Sequence, residues 1–408
     1  MRRRTLFSLL GAGTLTACAD STTGGPAGDG SDAGGSGSDG SDGGGSTSDG
    51  GSDGGSDGGG SSPSPTVDPM QELAESLDPR AAAAQLVWAG IPVGSHPVQL
   101  EDVPLGGYFL LGVWRSAERV EAAVAATRPE DDTPRPITPI LAVDQEGGQV
   151  RMLRGNAARI TPSAETLGGQ GTDAVTEAYT SIGEDLSARG IPLALAPVAD
   201  VVDPDLGSAN APVGKVDRGF GTAPKPVGEC VAAAVTALDA AGIGATLKHF
   251  PGLGRVRENT DFSADGIEDE KTTADDPFLD PFREGIEAGA DAVMLSSAVY
   301  TRIDPENPAM FSPAVVTDVL RGRLEFDGLV VSDDIGSAKA VQSVPVHQRA
   351  SRVLGAGGDV VLTADPQLAG DLVDAIVAWA KDDEDRTRRL RESVLRVLRV
   401  KQNRGLLD

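Results

Sequence analysis

The chain has 408 residues, a formal net charge of −26 and only two cysteines. Acidity on that scale excludes a nucleic-acid binder, which needs a basic face, and gives anionic lipid surfaces no electrostatic attraction. With Cys18 expected to carry a lipid, Cys230 is left alone and no internal disulfide can form.

The chain opens with Arg2, Arg3 and Arg4, then an apolar stretch from Leu6 to Leu15 that is too short to span a bilayer, then Leu15-Thr16-Ala17-Cys18. A positive segment, a short apolar core and small residues before a cysteine form the pattern of a lipoprotein signal. Residues 1–17 are expected to be removed and Cys18 to carry the lipid, holding the protein on the extracytoplasmic face of a bacterial cell membrane. The arginine run also resembles a twin-arginine export signal.

Residues 18–66 form the next unit, from the lipidated Cys18 through a Gly/Ser/Asp tether. From Ala19 to Thr66 there are eight aspartates, no Lys or Arg and no aromatic residue, so the stretch cannot bury enough apolar surface to offset its ordering entropy. A flexible linker of this kind spans roughly 40 Å by random-coil scaling. The aspartate spacing is irregular and fits no calcium loop.

Residues 67–408 hold eight short apolar runs that alternate with helix-period segments. The runs are Gln85–Ile91, Gly107–Val113, Ile140–Asp144, Leu193–Val198, Ala245–His249, Ala292–Ser296, Leu329–Asp333 and Asp359–Thr363. Amphipathic spacing predicts helices over Ala117–Thr127, Ala174–Ala188, Pro226–Ala241, Pro313–Leu324 and Gln367–Trp379, with a terminal helix over Glu384–Asn403 packed outside. Val/Ile/Leu/Ala runs bounded by Gly or Pro read as parallel strands covered on both faces. Eightfold alternation predicts an α/β fold, a (β/α)8 TIM barrel in one folded domain after the tether. An open doubly wound sheet is the rival, but no glycine-rich phosphate fingerprint follows the first strand. Cys230, in the Ala/Val-rich stretch Val227–Ala241, reads as a buried structural thiol.

Active sites of such barrels lie on the loops at the carboxyl ends of the strands. Here the third run ends in Asp144, the fourth leads to Asp200 and on to Arg218, the fifth ends in Lys248-His249, and the seventh ends in Asp333-Asp334. Ionisable side chains from four strands therefore converge on one rim. Only His96, His249 and His347 are present, none at ligand spacing, so neither a metal nor another cofactor is expected.

Three segments carry a closer likeness: Asp144-Gln145-Glu146-Gly147-Gly148, Lys248-His249-Phe250-Pro251-Gly252-Leu253-Gly254 and Ser332-Asp333-Asp334. With them the chain resembles the family 3 glycoside hydrolases, and within these the β-N-acetylglucosaminidases of cell-wall turnover, over nearly everything that could fold. The resemblance implies retaining hydrolysis of terminal β-linked sugars, with N-acetylglucosamine from peptidoglycan fragments as the expected substrate. Asp333 falls on the nucleophile, with Asp334 supporting it or capping the next helix. Asp144, Arg218, Lys248 and His249 fall on residues that bind the sugar of the innermost subsite. Carbohydrate and, through the lipid, the membrane are the expected partners of a monomer.

One part of that pattern is absent. In the family, the fifth-strand segment runs on to Asp-Ser-His, whose histidine is the general acid and base; here those positions are Asn259 and Asp261, and the second histidine of KHFPGHG is Leu253. Neither Asn259 nor Leu253 exchanges protons near neutral pH. An arginine of the family is Met152, flanked by Arg151 and Arg154. Asp261, or its neighbour Glu258, supplies the proton if its pKa is raised. Otherwise only good leaving groups are cleaved, about 10²- to 10⁴-fold more slowly, or the barrel is a sugar-binding lipoprotein. A tethered structural platform is a further class. The expectation adopted is an active hydrolase with catalytic Asp333 and Asp261.

Overall fold

The computed structural model describes residues 68–129 and 137–407. The signal segment, Cys18 and the tether lie outside the described residues.

Eight strands close into a barrel: β1 (Val87–Pro92), β2 (Gly107–Leu111), β3 (Ile140–Val143), β4 (Leu193–Ala194), β5 (Gly244–Phe250), β6 (Ala292–Leu295), β7 (Leu329–Asp334) and β8 (Val360–Thr363). Each pairs in parallel with its sequence neighbours, and β8 closes on β1 through Val87 opposite Val361. All eight apolar runs are therefore barrel strands. Their side chains are almost wholly buried, as strands lined inside by the barrel core and outside by helices must be.

The fourth strand is shorter than its run. Pro197 has no N–H to give to a ladder, so regular pairing stops at Ala194 and resumes as an isolated bridge between Val198 and Lys248. The chain stays extended there and delivers Asp200 to the rim.

Helices fill the crossovers. Ala117–Thr127 begins where the Ser116 hydroxyl accepts from the Arg119 N–H, and Thr172–Ala188 and Pro224–Ala240 extend the expected segments by two residues at their starts. Cys230 is buried within the last of these, and burial pushes its thiol pKa up. The segment expected as an α-helix from Pro313 is wound with wider π turns over Ala314–Arg323; Val315, Val316, Val319 and Leu320 still bury on one side.

The terminal helix, Glu384–Asn403, is capped by Asp383 and lies outside the barrel at the amino ends of the strands. Asp359, just before β8, is wholly buried and receives Arg321, Arg389 and Arg396, at 2.6, 2.9 and 3.4 Å. Lys401 is also buried, donating to Gln85 Oε1 at 2.6 Å just before β1. These contacts seal the bottom of the barrel and leave chemistry to the opposite end.

Candidate active site

Four strand ends supply a charged layer across the top of the barrel. Lys248, on β5, is fully enclosed, and its ammonium lies 2.5 Å from Asp144 Oδ1 and 2.6 Å from Glu146 Oε1. Arg218 meets Glu146 with two parallel donors, Nε to Oε2 and Nη2 to Oε1, both at 2.8 Å. Its remaining Nη1 donates to the Pro212 carbonyl. Glu146 is 2% exposed, and a carboxylate so placed is tolerable only because two cations neutralise it. Desolvation alone would raise its pKa; the charges of Arg218 and Lys248 win and hold it at about 2. Desolvation likewise pulls against Lys248 and Arg218, and the carboxylates raise both above their ordinary values.

His249 is tied down at both ring nitrogens. Nδ1 lies 2.8 Å from Asp200 Oδ2, while Nε2 lies 3.3 Å from Arg218 Nη2. A guanidinium only donates, so the tautomer that satisfies both contacts carries its proton on Nδ1. Asp200 also accepts the backbone N–H of His249 at 2.9 Å and of Leu253 at 3.0 Å, which fixes the turn after β5. Leu253 is buried, with its carbonyl accepting from Asn210, and it forms the floor of that turn.

Asp333 and Asp334 end β7 with different tasks. Asp334 accepts three backbone N–H groups, from Gly336, Ser337 and Ala364, and so clamps the β7 loop to the end of β8. Burial raises its pKa despite those donors. Asp333 is half-buried, and its only protein hydrogen bond among the described residues is from the Asp334 N–H at 2.8 Å. The remaining lone pairs of this carboxylate are open to the mouth.

The loop after β5 carries Asp261 to the same opening. Asn259 shapes it: its Oδ1 accepts the Asp261 N–H at 2.8 Å, and its carbonyl accepts from Phe262 and Ser263. Backbone bonds from Lys339 to the Asp261 carbonyl and from Ala340 to the Thr260 carbonyl, both 3.1 Å, dock this turn on the loop following β7. Asp261 is exposed at the opening, although protein crowds the surroundings of its carboxyl on the barrel side. Desolvation in that mouth is the first cause that lifts its pKa, to about 6, followed by the charge of Asp333; the charge of Arg218 opposes the rise. Two carboxylates facing one opening thus differ in environment, the arrangement that separates an acid from a base. Glu258 sits instead at the base of the turn, its N–H on the Gly266 carbonyl and its Cγ beside Gly266.

Asp144, Arg218, Lys248 and His249 thus form one connected layer, with Asp333 and Asp261 above it. Glu146 and Asp200 complete the layer and were assigned no role from sequence. Glu146 follows Asp144 by two residues, the spacing that places both on one side of an extended chain, and that period was the available signal. A cleft of ≈ 500 Å³ at the other end of the barrel is lined by Asp239, Asp291, Arg396 and Arg404, whose charges already pair with one another or with Asp359.

A closed parallel barrel with unlike carboxylates above a buried lysine at its strand ends is the equipment of a barrel glycosidase. Residues 85–400 match the Glycosyl hydrolase family 3 N terminal domain, and the chain belongs to that family. It is 39% identical over 252 residues, 60% of this chain and 72% of the other, to a beta-hexosaminidase of Xanthomonas oryzae pv. oryzae (strain KACC10331 / KXO85). The fold superposes on a beta-N-acetylhexosaminidase from Beutenbergia cavernae DSM 12333 with TM-score 0.75 at 39% identity, covering 80% of this chain and 99% of that one. A family 3 beta-N-acetylglucosaminidase from Paenibacillus sp. str. FPU-7 gives TM-score 0.70 at 28% identity, over 81% of this chain and 63% of that one.

Proposed function

We propose that the protein is a β-N-acetylhexosaminidase that removes terminal N-acetylglucosamine from peptidoglycan fragments with retention of configuration. The anchor expected at Cys18 would keep it outside the membrane, next to that substrate. What supports the mechanism is the placement of the Asp261 and Asp333 carboxyls at one opening, where desolvation first and the charge of Asp333 second raise the Asp261 pKa to about 6.

In the first step the Asp333 carboxylate attacks C1 of the sugar while protonated Asp261 gives its proton to the glycosidic oxygen. The C1–O bond breaks, the alcohol leaves, and a glycosyl ester forms on Asp333. In the second step Asp261, now ionised, takes a proton from water as that water attacks C1 and frees Asp333. Asp144 is placed to accept sugar hydroxyls, being the partly exposed partner of Lys248. Lys248, Glu146, Arg218, His249 and Asp200 hold it in position.

Incubation with a fluorinated, slow-releasing N-acetylglucosaminide and subsequent peptide mass spectrometry test the assignment. The adduct is expected on the peptide bearing Asp333 and absent in Asp333→Asn; an unlabelled wild-type protein that still binds the sugar would make the barrel a binding module instead.

A further inference from the structure

Among the described residues one aromatic side chain stands out in solvent. Phe262 is 81% exposed, whereas the other described Phe, Tyr and Trp residues are buried or half-buried. Scattered exposed apolar residues are ordinary, so exposure alone decides nothing. Its position decides more. Phe262 directly follows Asp261, on a turn closed by Glu258 N–H to the Gly266 carbonyl, shaped by Asn259, and docked on Lys339 and Ala340. Thr260 is buried and anchors the same turn. The ring is therefore displayed by a built turn at the rim.

A proton donor must come within about 3 Å of the glycosidic oxygen. The leaving group is attached to that oxygen, so it lies between Asp261 and bulk solvent, and a side chain one residue along the rim borders it. Sugars present an apolar C–H face, and an aromatic ring that is solvated when the site is empty loses that exposed surface on contact.

We propose that Phe262 is the wall of a leaving-group subsite that takes a saccharide aglycone by stacking on its apolar face. This rests on the assignment of Asp261 as proton donor. The subsite gives the enzyme a preference for sugar-linked over small-aglycone substrates. Phe262 acts on selectivity and transfers no proton.

The test compares kcat/KM for N,N′-diacetylchitobiose and for methyl β-N-acetylglucosaminide in wild type, Phe262→Ala and Phe262→Trp. The disaccharide-to-methyl ratio is expected to fall about tenfold in Phe262→Ala, chiefly through KM, and to be restored by Phe262→Trp. An unchanged ratio, or equal losses on both substrates, overturns the subsite. If wild type turns over neither compound, the hydrolase reading fails separately; calorimetric binding of the same two compounds to the Asp333→Asn protein, with and without Phe262→Ala, then decides the subsite by the same ratio.

Discussion

Asp200 holds His249 through both its oxygens, Oδ2 at 2.8 Å from Nδ1 and Oδ1 at 2.9 Å from the backbone N–H. With Nε2 against Arg218, the imidazole has neither a free proton nor a free lone pair to offer a leaving group. His249 is a wall of the site, and Asp200 is what keeps it there. Asp200→Asn is expected to lower kcat/KM about 10²-fold through misplacement of the sugar-binding layer. The loss should be equal for aryl glycosides and disaccharides, with the alkaline limb of the pH profile unmoved. A shift of that limb would make the imidazole the titrating group.

Glu146 is the shared counter-charge of two cations, and its loss leaves Arg218 without its carboxylate partner and Lys248 with Asp144 alone. Glu146→Gln is expected to destabilise the fold by about 3–5 kcal/mol and to raise KM. Denaturant unfolding and steady-state kinetics on one preparation check both halves. Retained stability with raised KM would mean that Lys248 and Arg218 find other partners.

At the far end of the barrel, Asp359 gathers three guanidiniums and also accepts from Ser393 and the Val330 N–H. Desolvation would raise its pKa, but the arginines depress it. A depressed carboxyl contributes stability that is present above its unfolded value, near 3.9, and lost as pH falls through the folded value. Asp359→Asn is therefore expected to lower stability by about 3–5 kcal/mol at pH 7, with little change in KM of the protein that remains folded. The deficit against wild type should shrink in acid. A pH-independent deficit would assign the effect to packing.

Most of the barrel was legible in the sequence because its strands are covered on both faces and so are written as unbroken apolar runs between glycines and prolines. Leu193–Val198 was overread because burial persists through Pro197 while the ladder does not. The site was legible as far as polar residues at strand ends reveal it, which brought Asp144, Lys248, His249 and Asp333 into view. Partnership was not legible. Arg218 meets Glu146 from 72 positions away, and His249 meets Asp200 from 49, distances that only the closed ring removes. The different settings of Glu258 and Asp261 also lay in the turn: Asn259 accepts the Asp261 N–H, while Glu258 closes the turn on Gly266.

In the proposed mechanism Asp261 takes over proton transfer from the histidine its family uses. The most direct measurement is the pH dependence of kcat/KM for N,N′-diacetylchitobiose and for 4-nitrophenyl β-N-acetylglucosaminide in wild type and Asp261→Asn. An acid must be protonated to act, so wild-type disaccharide hydrolysis should decline as pH rises through about 6. In Asp261→Asn that activity should drop by about 10²- to 10⁴-fold and lose its alkaline limb, while the nitrophenyl substrate, whose leaving group needs little protonation, loses much less in the glycosylation step. An Asp261→Asn protein that cleaves the disaccharide at the wild-type rate, with the same alkaline limb, would contradict the account.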